Sequence, residues 1–192
     1  LKQNLITDSS LQKALSKIGA TPSQVLDIPT ISEAAGDSPI IVSQNLATQR
    51  AEKLLENHNS DGIFVASSKI AALGNRILPV ATNDELVRQN LQKISGRRHK
   101  VYVSVCFIKK EGTTIIKKIR TTTSILKIKR LTEEEIENYV KSKQGLNMPG
   151  GHDFKRIAAS FVIFFSGSLA PIQDLPLYET RNMLLSLGFV LM

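Results

Sequence analysis

The residues best suited to chemistry form one block, Ser95-Gly96-Arg97-Arg98-His99-Lys100-Val101-Tyr102-Val103-Ser104-Val105. A glycine flanked by cations lets the main chain approach a phosphate, and arginine grips it with a fork of donors. The same pattern also fits a solvated basic loop ahead of a strand, and the residues alone leave both readings open. From Gly96 to Arg130 there are eleven Lys/Arg and one acid, Glu111, a net of +10 against +8 for all 192 residues. A cation field of this density implies anions: nucleotide phosphates, nucleic acid or acidic lipid.

Other positions carry weaker signals. Ser67-Ser68 ends a short buried strand, Gly62–Ala66, where an α/β sheet usually places its chemistry. No partner motif for nucleophilic catalysis accompanies the pair, so structural hydroxyls fit as well. Gly150-Gly151 beside His152 and Asp153 reads as a phosphate-facing loop or as a plain turn. The three histidines, His58, His99 and His152, lie far apart without metal-ligand spacing, so no zinc site is expected.

Cys106, the single cysteine, excludes an internal disulfide framework and is expected to be a buried, inert thiol. The basic strands could track nucleic acid. However, only 5% of the chain is aromatic, and Tyr102 and Phe107 fall on opposite strand faces. Lysines on an exposed strand also guard against aggregation. Nucleic acid is therefore not the expected partner. No apolar run is long enough to span a bilayer and no signal peptide is visible, so the expected setting is cytoplasmic, with no membrane partner.

Positioning these residues requires an ordered set of elements. Leu11, Ala14, Leu15 and Ile18 predict a helix capped by Ser9 or Ser10. Thr21 to Pro39 reads as loop and short strands. Ala47, Ala51, Leu54 and Leu55 predict a helix from about Ser43 to His58, closed by a turn before Gly62. Asn83 caps a helix carrying Val87, Leu91 and Ile94. Val101 to Ile108 alternates as a strand, Lys110-Glu111-Gly112 turns, and Thr113 to Ile128 supplies one or two more strands. Thr132-Glu133-Glu134-Glu135 is a capping box ahead of Ile136, Tyr139 and Val140. Phe161 to Phe165 is the last strand, and Asp174 is expected to cap a helix from Leu177 to Leu187. The interleaving implies an α/β fold with a mixed sheet, one domain spanning residues 1–192.

Six blocks stand out in order: Ile77-Leu78-Pro79, Ser95-Gly96-Arg97-Arg98-His99, Leu131-Thr132-Glu133-Glu134-Glu135-Ile136-Glu137-Asn138-Tyr139, Pro149-Gly150-Gly151, Ser166-Gly167-Ser168 and Leu175-Pro176-Leu177-Tyr178-Glu179. Together they resemble the Maf (septum-formation-inhibitor-like) family of nucleoside triphosphate pyrophosphatases. The resemblance covers nearly the whole chain. It implies a mixed β-sheet flanked by helices with a deep cleft between two lobes, in a protein that is often a homodimer. It also implies hydrolysis of the α–β bond of a nucleoside triphosphate, releasing a monophosphate and pyrophosphate, with a divalent metal (Mg or Mn) as cofactor. Family members act on modified nucleotides, or on dTTP and UTP.

Departures from the family pattern fall on polar site positions. The opening Ser-x-Ser-Pro-Arg-Arg is represented by Thr7-Asp8-Ser9-Ser10-Leu11-Gln12-Lys13, where Ser9 and Lys13 stand in as phosphate contacts. The family's acidic loop keeps only Glu33, the expected metal ligand and remaining catalytic carboxylate. Its helix lysine is Arg50, and its later glutamine is Lys155. Arg97 completes the phosphate-facing cations. The central aspartate, which the resemblance implies is the catalytic base or a metal ligand, is Ser68, and a lysine after Ile77-Leu78-Pro79 is Val80. Asp8 and Asp153 are the candidates for a displaced carboxylate. Serine cannot replace a carboxylate as a strong Mg²⁺ ligand. The resemblance thus implies a pyrophosphatase of impaired activity, or a nucleotide-binding or nucleic-acid-binding remnant.

Overall fold

The computed structural model describes residues 4–28, 38–58 and 60–191. In chain order the elements are β1 (Leu5–Asp8), α1 (Gln12–Ser16), β2 (Gln24–Leu26), α2 (Pro39–His58), β3 (Gly62–Leu73) and β4 (Arg76–Leu78). Then follow α3 (Asp84–Ile94), β5 (Arg98–Glu111), β6 (Thr114–Ile128) and α4 (Glu133–Lys141). A 3₁₀ turn (Ile157–Phe161), β7 (Val162–Gly167), α5 (Ala170–Gln173) and α6 (Leu177–Ser186) complete the chain. Among the described residues seven strands form one mixed sheet, ordered β2-β1-β3-β5-β6-β7, with β4 folded back on β3. β1 pairs parallel with both β2 and β3, whereas β3–β4 and β6–β7 are antiparallel. The expected α/β class is therefore observed.

The chain divides into two compact units. The first comprises Leu1–Ser68, Val103–Thr122 and Gln173–Met192; the second comprises Lys69–Tyr102 and Thr123–Ile172. In the first, side chains alternate between two apolar layers. Leu5, Ile63, Val65, Val105 and Phe107 pack with Leu15, Met183 and Leu184 on one face. Ile6, Phe64, Ala66, Cys106 and Ile108 pack beneath Ala47, Ala51 and Leu54 of α2 on the other. Because both faces are covered, Val103 to Ile108 is an unbroken buried run. In the second unit, α3 packs on α4. Arg88 of α3 reaches both carboxylate oxygens of Glu137 on α4, at 2.6 and 3.1 Å.

Local signals explain three helix starts. Asn83 accepts the Leu86 amide at 2.9 Å and starts α3. The capping box of α4 is complete: Thr132 accepts the Glu135 amide, and the Glu135 carboxylate accepts the Thr132 amide. α2 begins at Pro39, earlier than its apolar spacing suggested, because proline suits the first helical turn.

Three expectations are corrected. Neither Ser9 nor Ser10 caps α1; the cap position is Leu11, without a side-chain bond. Asp174 does not cap α6. That position is Pro176, and Asp174 adopts φ +66°. β3 does not stop at Ser67-Ser68 but continues to Leu73, turning through Gly74 at φ +62° into β4. Polar side chains suggested a strand end where the backbone ladder continues.

Candidate functional site

β1 lies between β2 and β3, and the chain crosses to opposite sides of it through α1 and α2. In such a sheet the connections diverge beyond the carboxyl end of the central strand, leaving a crevice for ligands. Asp8 is the last residue of β1, and Ser9 and Ser10 follow it at the surface. The parallel register sets Thr7 beside Val65, which brings Asp8 alongside the segment leading to Ser68. Asp8 is only 3% exposed. Its Oδ1 accepts the Ser10 amide at 2.9 Å and also the Ser10 hydroxyl. Its Oδ2 accepts from Arg50 Nη2 at 3.2 Å. The Arg50 side chain is 28% exposed, yet its Nε is buried without a hydrogen-bond partner.

Ser68 lies under the same helix. Ser43 and Arg50 are seven residues apart on α2, about 10.5 Å along its axis. Ser68 therefore sits near one contact of α2 with the sheet and Asp8 near another, two turns away. The Ser68 hydroxyl donates to the main-chain oxygen of Ser43 at 2.5 Å, and its Oγ lies 2.9 Å from Ser43 Oγ. Ser43 donates to Ser104 Oγ at 2.8 Å, and Ser104 meets Thr121 Oγ1 at 2.8 Å. Gln44 Nε2 closes the chain on Thr121 at 3.2 Å. Ser43, Ser68 and Ser104 are buried, so this hydroxyl network is satisfied from within.

The expected site residues divide between the two units. Ser9, Lys13, Arg50 and Ser68 belong to the first, and Arg97 and Lys155 to the second. Within the first, Arg50 meets Asp8, whereas Lys13 is exposed on α1. Glu33 lies outside the described residues. In the second unit Arg97 is exposed beside Gly96, which takes φ +71° and donates its amide to Lys129 O at 3.1 Å. Lys155 is exposed, and its amide donates to Asp153 Oδ1 at 3.0 Å.

Gly150 and Gly151 form a turn at φ +69° and +70°, and the Gly150 amide donates to Pro79 O. A methyl group on Gly150 would come within 2.8 Å of Ala71 Cβ and 2.9 Å of His152 Nε2, so close packing accounts for this glycine. Beside it, His152 and His99 face each other with ring centroids 5.1 Å apart, and Phe154 lies 4.2 Å from His152. All four imidazole nitrogens are buried without a protein partner. Burial pushes His99 down to about 4. His152 is also lowered, first by burial and then by His99.

Two of these groupings, one in each unit, escaped the sequence. The histidine pair unites residues far apart in the chain, which no local spacing reveals. The hydroxyl network left a trace: Ser43 occupies the same helical row as Ala47 and Ala51, an apolar row holding a hydroxyl.

The described residues do not fit a resident divalent ion. Among them no three of His, Cys, Asp and Glu converge. On the α2 face Asp8 already satisfies Ser10 and Arg50, and Ser68 offers a hydroxyl bound to main chain. Mg²⁺ is held by one or two carboxylates together with substrate phosphates, so such an ion would come with the nucleotide rather than reside here.

A family profile described as Maf-like protein matches residues 10–187. A nucleoside triphosphate pyrophosphatase of Orientia tsutsugamushi (strain Boryong) is 42% identical over 180 residues, covering 92% of this chain and 87% of the relative. One from Rickettsia africae (strain ESF-5) is 36% identical, covering 91% and 82%. One from Rickettsia typhi (strain ATCC VR-144 / Wilmington) is 35% identical over 192 residues, covering 96% and 83%.

Proposed function

The chain belongs to the Maf family, and from that premise we propose that it is a nucleoside triphosphate pyrophosphatase with strongly reduced turnover. The names of its relatives support the substrate class. The single observation that carries the reduction is the Ser68 hydroxyl, bound at 2.5 Å to a main-chain oxygen where the family pattern has an aspartate. A serine so held neither accepts a proton from water nor offers a negative oxygen. Loss of one general base lowers a rate on the order of 10²–10⁴-fold.

In this reading Arg50, Arg97 and Lys155 face phosphate, with Ser9 and Lys13 as further contacts. Glu33 is the remaining carboxylate and metal ligand on the family pattern. The nucleotide arrives as its Mg²⁺ or Mn²⁺ complex, so the ion is part of the substrate. The resemblance extends the proposal to a single cytoplasmic domain acting as a homodimer, which light scattering would check. Among the described residues no helix is long and apolar enough to cross a membrane.

Nucleic acid fits less well. Four of the eleven cations are paired locally: Lys109 to Glu111 at 2.8 Å, Lys110 to Asp61 at 3.3 Å, Lys117 to Glu52 at 2.9 Å and Lys129 to Glu135 at 2.6 Å.

The test is pyrophosphate release from a panel of nucleoside triphosphates with Mg²⁺ or Mn²⁺, with Ser68→Asp beside the parent. The reading expects slow release from the parent and a gain of up to about 10²–10⁴-fold in Ser68→Asp. Fast turnover by the parent would overturn the reduced-activity reading. If neither protein releases pyrophosphate but both bind nucleotide, the family activity is lost beyond this position.

A further inference from the structure

We infer that Asp8 is a built-in competitor for anions at Arg50, and that it sets how tightly this chain holds a polyphosphate. The inference rests on the reading of Arg50 as a phosphate-facing cation.

The pair is asymmetric. Asp8 is buried and fixed: Ser10 holds its Oδ1 through the amide and the hydroxyl, which turns Oδ2 toward the helix. Arg50 reaches solvent along part of its side chain. Arg50 is thus open to solvent over part of its side chain, while Asp8 is not. Only Nη2 is engaged by the carboxylate, at 3.2 Å, while the buried Nε has no partner. A guanidinium has five donors in a rigid fork, and one carboxylate oxygen leaves most of them unmatched. The buried Nε is a donor for which none of the described residues supplies an oxygen.

A phosphate at that fork meets two opposing effects. It gains charge-assisted hydrogen bonds from Arg50. It also meets the Asp8 carboxylate on the same cation, and like charges sharing a site repel. Asp8 thus takes the position of a phosphate oxygen in the unliganded protein. Binding requires either exchange of Arg50 from carboxylate to phosphate or tolerance of both anions.

The experiment is calorimetric titration with inorganic tripolyphosphate, and separately with a nucleoside triphosphate, at fixed ionic strength. The proteins are the full chain, Asp8→Asn, Arg50→Met and the double variant. Asparagine keeps the acceptor for Ser10 and removes the charge. The inference expects Asp8→Asn to tighten tripolyphosphate binding by about ten- to a hundredfold, the weight of one charge-assisted hydrogen bond. It expects Arg50→Met to weaken binding and to abolish the gain in the double variant. Unchanged or weaker binding by Asp8→Asn would make Asp8 a positioning residue for Arg50 and overturn the inference. A gain that persists without Arg50 would also overturn it, since the effect would then be general electrostatics. If Asp8→Asn does not fold, Asp8→Ser takes its place; if neither folds, the charge is structural and the inference fails. Binding by the parent with no gain in the variant leaves the nucleotide reading intact. Absence of binding in every protein removes both.

Discussion

Ser68 on β3 donates its hydroxyl hydrogen to the main-chain oxygen of Ser43 on α2 at 2.5 Å. This bond fixes the helix to the sheet at the start of a hydroxyl chain through Ser43, Ser104 and Thr121. Each hydroxyl in that chain depends on the next, so truncating the middle of it leaves buried groups unmatched. Ser43→Ala should destabilise the protein by about 1–3 kcal/mol, because Ser104 loses its donor and Ser68 its hydroxyl neighbour. Urea unfolding of parent and variant would measure the difference. A shift near zero would mean that water enters and satisfies the remaining hydroxyls.

Leu54 is fully buried on the α2 face, in the layer with Ile6, Phe64 and Ala66. Small residues at Ala47 and Ala51 bring the helix close to the sheet, so the neighbours have little room to collapse. Leu54→Ala should cost about 2–5 kcal/mol, read from the same unfolding curves.

The histidine pair makes stability depend on pH. Burial pushes His99 down to about 4 and also lowers His152, whereas the unfolded chain protonates both near the ordinary value of about 6.5. Between these values the unfolded state binds more protons, so stability rises with pH across the window and is lost on acidification. His99 alone accounts for about 3 kcal/mol over the full interval. The thermal midpoint should fall between about pH 7 and about pH 4.5, and fall less in His152→Phe. Equal slopes in both proteins would show that other groups carry the acid sensitivity.

Cys106 is fully buried, and burial pushes its thiol up to about 11. The thiolate is the reacting form, so the native protein should resist disulfide reagents at neutral pH. A thiol assay with and without denaturant should find one reactive group only after unfolding. Rapid labelling of the native protein would mean that the layer under α2 opens readily.

What the sequence determined by itself was local. The α4 capping box, the Asn83 cap, the buried run around Val105 and the Ser95–His99 block each depend on neighbours a few residues away, and each has the form its pattern implied. The family was legible for a related reason: the matching blocks are short runs of contiguous residues. Tertiary structure decided which distant groups meet. Asp8 and Arg50 are separated by 42 positions, Ser68 and Ser43 by 25, and His99 on β5 meets His152 from a distant loop. It also carried β3 through Ser67-Ser68, where polar side chains suggested an end, because strand pairing is set by backbone hydrogen bonds to partners elsewhere in the chain. A carboxylate, a guanidinium and a hydroxyl have fixed chemistry, but their charge and hydrogen bonds take effect only over a few ångströms. Folding determines which groups come that close.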